Sequence, residues 1–211
     1  MPFHQQIQAK MDTPEDSFDF TPDMIEIPEI FRNSLDKKPF ERCISCDKYL
    51  LEDGTPYVIE KTIRNYKEHN VSDVIFEYAI CMNCMANMRQ AMSKESLEKM
   101  EQYFMSQVDP LERQLQLLNN ETLNIEPWIS HCMIKGTARE ALDEYQICCQ
   151  CDGKNIVFTI MPYMVGGQAM EEMAELLSAK SRGEIDDFMD NNFGLPPELE
   201  KELGDFKYVL I

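Results

Sequence analysis

Two kinds of hydrophobic pattern follow one another in the first half of the chain. Pro56 to Ile63 and Val74 to Ile80 are dense in β-branched and aromatic residues, which predicts two strands. The polar stretch between them, Arg64 to Asp73, predicts the connecting hairpin loop. The period then changes. Met85, Met88, Met92, Leu97, Met100 and Phe104 recur near the helical repeat, and no Gly or Pro interrupts residues 85 to 107. A helix is expected there, with Ser93 as an internal break or recapping point. Asp109-Pro110 stops it and caps a further helix over Leu111 to Leu118.

The second half begins near Trp128. Tyr145-Gln146-Ile147 and Asn155 to Ile160 read as strands flanking a cysteine-rich turn. Gly166-Gly167 precedes an expected helix over Gln168 to Ala179, followed by another over Gly183 to Met189. Phe193 to Leu199 reads as a turn and Tyr208 to Ile211 as a short final strand. The opening forty residues differ from the rest: eight acids face four bases, with prolines at 2, 14, 22, 28 and 39. Such a segment packs along a domain surface, or serves as a short linear motif that folds onto a partner. The expected organisation is an acidic N-terminal extension (1–40), a first unit (41–108) and a second α+β unit (109–211). The fold class is α+β.

Two Cys-x-x-Cys pairs bracket the predicted hairpin: Cys43 with Cys46, and Cys81 with Cys84. Two cysteines separated by two residues bend a tight turn around one ion, and a second pair completes a tetrahedral thiolate shell. The thirty-four residues between the pairs leave room for the hairpin. Zinc is the expected cofactor, and an iron–sulfur cluster is the other group that four cysteines hold. The helix after the second pair directs its positive end at Cys81 and Cys84, which favours their thiolates. Met85, Met88 and Met92 share a helix face and are expected to fill the core behind the site. Copper(I) also binds mixed Cys and Met, but paired cysteines select zinc. Knuckle, hairpin, second pair and helix, in that order, resemble the treble-clef and zinc-ribbon group of zinc modules over residues 41 to 107. That resemblance implies a structural zinc ion and leaves function open, because the scaffold hosts unrelated tasks.

Glu77-Tyr78-Ala79-Ile80-Cys81-Met82-Asn83-Cys84 reappears as Glu144-Tyr145-Gln146-Ile147-Cys148-Cys149-Gln150-Cys151, identical at five of eight positions. An internal repeat is therefore expected, as in duplicated units. The upstream pair is incomplete in the second copy. If Cys132 matches Cys43, then Lys135 stands where Cys46 would be. A second metal could use Cys132, Cys148 and Cys151, with His131 or Cys149 as the fourth ligand. The competing reading is a decayed site whose cysteines pack as small hydrophobes, and a reactive or redox-sensing thiol is a third.

Composition narrows the function classes. The formal charge is −18, from 20 basic and 38 acidic residues. The largest basic cluster is Lys37-Lys38, so direct nucleic-acid binding through phosphate contacts is disfavoured. Basic partner surfaces are favoured instead. No apolar run is long enough for a membrane span, no export signal opens the chain, and most of its eight cysteines form Cys-x-x-Cys pairs. The cytoplasm is the expected location. A Cys–His nucleophile pair would have to use His131 beside Cys132, since His4 and His69 lie in the tail and the loop. No phosphate-cradling loop or catalytic zinc motif is present. The leading expectation is a non-enzymatic protein-interaction or adaptor module. The alternatives are a regulator of a nucleic-acid machine acting by acidic mimicry, or a thiol sensor or enzyme at the His131, Cys132, Cys148 and Cys151 cluster.

Overall fold

A three-residue strand, β1 (Met24–Glu26), opens the described part of the computed structural model, which comprises residues 24–118 and 124–193. The two β-rich runs of the first half become β2 (Pro56–Tyr66) and β3 (Val71–Cys81). Both outlast their hydrophobic stretches. Pairing continues through Arg64–Asp73, Asn65–Ser72 and Tyr66–Val71, so the turn shrinks to residues 67–70. Those outer pairs stand clear of the core, where nothing selects apolar side chains and the sequence gives no strand signal.

The second half contributes β4 (Glu144–Asp152), β5 (Asn155–Val157) and β6 (Tyr163–Gly166) to the same antiparallel sheet. The order is β1-β5-β4-β2-β3, with β6 beside the first half of β4. β2 and β4 pair over nine positions, from Pro56–Asp152 to Arg64–Glu144. One sheet therefore runs through both units, and its two central strands are buried over Tyr57 to Ile63 and Tyr145 to Cys149. Among the described residues, six α-helices complete an α+β fold: α1 (Met82–Ala91), α2 (Lys94–Gln107), α3 (Pro110–Leu118), α4 (Glu126–Ile129), α5 (Gly167–Glu175) and α6 (Ala179–Phe193).

The expected break at Ser93 is the boundary between α1 and α2, where the Ser93 hydroxyl accepts the Ser96 amide at 3.1 Å. Asp109 caps α3 as expected, its carboxylate accepting the amides of Leu111 and Glu112 at 3.0 and 2.9 Å. Local readings in the second half need correction. Cys148 to Cys151 are not in a turn but inside β4, and the turn is Gly153-Lys154, where Gly153 has φ +54. β5 ends at Val157, because Phe158 leaves the sheet to pack on the Trp128 ring at 5.1 Å. β6 is an added strand, four residues wedged between Pro162 and Gly167, too short to display a period. The last two helices start and stop elsewhere than expected, α5 ending at Glu175 and α6 running from Ala179 to Phe193. Residues 1–23, most of the expected 193–199 turn and the expected strand at 208–211 lie outside the described residues.

The described end of the N-terminal extension belongs to the core. β1 pairs with β5, and Ile27 and Phe31 are fully buried. An ion pair fixes the segment to the sheet. Lys61 Nζ lies 2.9 Å from Glu77 Oε2, with both side chains almost completely buried. The ammonium also donates to the carbonyls of Ile30 and Arg32. The other Glu77 oxygen accepts the Ser34 amide and hydroxyl, each at 2.7 Å.

Helices α1 and α6 cover the sheet face that carries Tyr78. Its ring meets Phe188 at 5.5 Å and Phe193 at 5.8 Å. Met85, Met88, Met92 and Met100 lie over Glu60 and Tyr78 around a cavity of about 20 Å³. That is room for a water molecule. The methionine stripe thus packs on the sheet, as its spacing predicts.

Candidate metal centre

The first cysteine pair sits on a tight loop stitched by its own backbone. Cys43 N donates to Lys48 O and Asp47 N donates to Cys43 O, both at 2.9 Å. A bridge between Arg42 and Tyr49 closes the loop. Asp47 adopts φ +60, a left-handed conformation that Asp tolerates better than most residues. Ile44 N donates to Ala79 O at 2.9 Å and fastens the loop to the end of β3. There Cys81 forms the N-cap of α1, and Cys84 follows in its first turn. A strand that ends directly in a helix therefore brings the second pair to the first.

The four sulfurs lie within 4.8 Å of one another. Cys46 and Cys81 are 3.8 Å apart. A tetrahedral site with a zinc–sulfur bond of about 2.3 Å places its sulfurs about 3.8 Å apart. The donor set and spacing fit a metal ion, and they are compatible with zinc. Cys43 and Cys81 are buried, Cys84 is half-buried and Cys46 is exposed, so the centre sits at the rim of the fold.

The thiols differ in acidity before any metal is considered. Burial pushes Cys43 up, but amides of Cys81, Cys46 and Ser45 outweigh it and bring the thiol down to about 7. The Lys48 amide holds Cys46 down, yet desolvation and the Cys43 and Cys81 sulfurs give a net upward shift. Burial and then the neighbouring sulfurs of Cys46 and Cys81 push Cys84 well up. The helix dipole therefore does not dominate at Cys84, where crowded sulfurs resist a second negative charge. A divalent cation removes that conflict. Cysteine binds metal as thiolate, so metal binding must release protons. Stability from the metal is accordingly present at neutral and higher pH and lost as pH falls. Metal transfer to a chromophoric chelator should be slow at pH 7.5 and complete at pH 5; equal retention at both values would contradict thiolate ligation.

The tentative second set is not brought together. Among the described residues, the one group of His, Cys, Asp or Glu side chains close enough to share an ion is the first four cysteines. Cys148 and Cys151 are separated by three positions of a strand, and side chains that far apart face opposite sides of the sheet. Cys149 and Cys151 do share a face, their sulfurs 3.6 Å apart. His131 is exposed while Cys132 is buried, so these neighbours point apart. The repeat explains the false signal. Glu77 to Cys81 end a strand and lead into α1, whereas Glu144 to Cys151 remain strand throughout.

Cys132, Cys148, Cys149 and Cys151 are all buried. Burial, followed by the Glu60 carboxylate for Cys148 and by the Cys151 thiol for Cys149, pushes these two thiols far up. Reactive cysteines are accessible and low in pKa. Sequence reasoning did not find the buried polar group beside them. Glu60 accepts a hydrogen bond from Tyr78, and its other oxygen lies 3.7 Å from Cys148 Sγ. A lone glutamate inside a strand run carries no spacing signal, and only strand register places it there.

No family model, curated protein or solved structure matches this chain. Among the described residues, no helix is long and apolar enough to cross a membrane.

Proposed function

We propose that this chain is a zinc-stabilised, non-enzymatic interaction module that binds a basic protein surface in the cytoplasm. The four-sulfur cluster carries the reading. Four protein ligands close a tetrahedral shell and leave no position for a substrate or an activated water, which is the arrangement of structural zinc. The order of loop, hairpin, second pair and helix supports a treble-clef unit around that ion. Eight free thiols fit a reducing compartment. The partner's sign follows from the net charge of −18, which attracts basic surfaces and weakens with screening.

The test is affinity capture with the full chain and with a variant lacking residues 1–23. A specific protein partner, released by raising sodium chloride from 0.1 M to 0.5 M, is the expected result. Recovery of no specific partner by either protein, or a complex indifferent to salt, would count against the proposal. Retention by the shortened variant would assign the contact to the folded part, and loss would assign it to the tail.

A further inference from the structure

The loop at residues 131–138 reproduces the metal-site loop bond for bond. Cys132 N donates to Thr137 O at 2.8 Å and Gly136 N to Cys132 O at 2.7 Å, matching Cys43 with Lys48 and Asp47 with Cys43. Gly136 has φ +68 where Asp47 has +60. Met133 N donates to Met164 O at 2.8 Å, as Ile44 N does to Ala79 O. Gly166 N points at Cys132 Sγ at 3.3 Å, and Cys81 N points at Cys43 Sγ at 3.4 Å. Cys81 caps α1 and Gly166 caps α5.

The correspondence extends through the elements on either side. Both loops lead into a strand of the central pair, β2 or β4, and both partner strands, β3 and β6, end in a helix. Tyr78 pairs with Glu60, and Tyr163 pairs with Cys148; Glu60 and Cys148 face each other in the antiparallel β2–β4 ladder. Serines repeat the relation. Ser93 caps α2, and Ser178 accepts the Ser181 amide at the start of α6. Across the contact, Ser93 N donates to Ser181 Oγ at 2.9 Å and Ser178 N donates to Ser96 Oγ at 2.8 Å. The Ser93 and Ser178 hydroxyls meet at 2.9 Å. Reciprocal bonds of this kind are the mark of an isologous two-fold contact, in which residue i meets j and j meets i.

Superposing the copies by these bonds puts Lys135 at the place of Cys46, Gly166 at that of Cys81 and Ala169 at that of Cys84. Only Cys132 survives as a ligand. Lys135 Nζ lies 2.6 Å from Glu172 Oε2 on α5, and Tyr103 also donates to that oxygen at 2.6 Å. The metal of the first copy would join loop to helix at the same place.

We infer that residues 131–193 are a second copy of the metal cradle, related to the first by an internal two-fold, and that the Lys135–Glu172 ion pair joins loop to helix there in place of the metal. The inference rests on the first cradle holding metal only for its starting count. The aligned frame also differs from that of the eight-residue repeat, since it matches β4 with β2 and not with β3.

The test restores the ligands in the full chain. Lys135→Cys, Gly166→Cys and Ala169→Cys add three thiols to Cys132. Leu142→Ala accompanies them, because a Cβ at Gly166 would lie 2.8 and 2.9 Å from the Leu142 methyls. A milder variant, Lys135→Cys with Ala169→Cys, offers three sulfurs and leaves Gly166 alone. Elemental analysis and cobalt(II) absorption should show one more ion per chain than the native protein in the fuller variant. A folded variant with no increment in either form would overturn the shared cradle. A native protein without metal would overturn the zinc reading instead, and the increment would still decide this one. Should neither variant fold, the ion pair decides. Lys135→Ala and Glu172→Ala should each lower Tm by about 2–4 °C, with the double variant no worse than Glu172→Ala alone. Unchanged Tm in both singles would overturn the role of the pair.

Discussion

Cys46→Ser and Cys84→Ser are each expected to leave the chain insoluble or protease-sensitive. Structural zinc supplies about 10–16 kcal/mol in small zinc peptides at neutral pH, against a total stability of roughly 5–15 kcal/mol for an ordinary domain. Losing one of four thiolates removes much of that. The fold gives the damage a route outwards. Apart from the cysteines themselves, the loop holding Cys43 and Cys46 is fastened to β3 by the backbone hydrogen bond from Ile44 N to Ala79 O. Its release frees Leu50, which is fully buried and hydrogen-bonded to Glu41 O at the base of the loop. β2 then pairs with β4 over nine positions, so the second half shares the loss. Limited proteolysis and the soluble fraction after expression measure the effect. Native resistance and solubility in both variants would sink the metal's structural role.

Lys61→Met is the second large effect. The ion pair with Glu77 is buried at both ends, and each partner carries further bonds to residues 30–34. Removing Lys61 leaves the Glu77 carboxylate buried without its counter-charge, which costs about 3–5 kcal/mol. The methionine stem replaces the lysine stem in volume, so lost packing adds little. Chemical denaturation should therefore show a lower midpoint, and residues 24–36 should become the first site of protease cleavage. Pairing the substitution with Glu77→Leu should recover much of the loss, since the stranded carboxylate is then gone. A Lys61→Met protein within 1 kcal/mol of the native one would contradict the assignment.

How legible the fold was depended on whether a residue announced itself locally. The four-cysteine cluster could be read from spacing alone, because Cys-x-x-Cys geometry and the strand-to-helix change after Cys81 are both local features. Ser93 and Asp109 were legible for the same reason, as caps next to periodic helices. The second half misled. Cys148, Cys149 and Cys151 resemble a chelating turn, yet β4 is buried on both faces, and a strand of that kind accepts cysteine as a small hydrophobe. The eight-residue likeness then fixed a false alignment between β3 and β4. Lys61, Glu60 and Lys135 were invisible, since their partners at Glu77, Tyr78 and Glu172 are defined by register and by contacts between helix and loop. The pairing of β2 with β4 was invisible too. It joins two strands about 80 residues apart, a non-local choice that no window of sequence contains.

A single zinc ion on Cys43, Cys46, Cys81 and Cys84 fixes the metal content per chain. Elemental analysis of the native protein should give one zinc, unchanged in Cys148→Ser/Cys151→Ser and absent from Cys46→Ser/Cys84→Ser. No bound metal in the native protein, or iron in place of zinc, would contradict it.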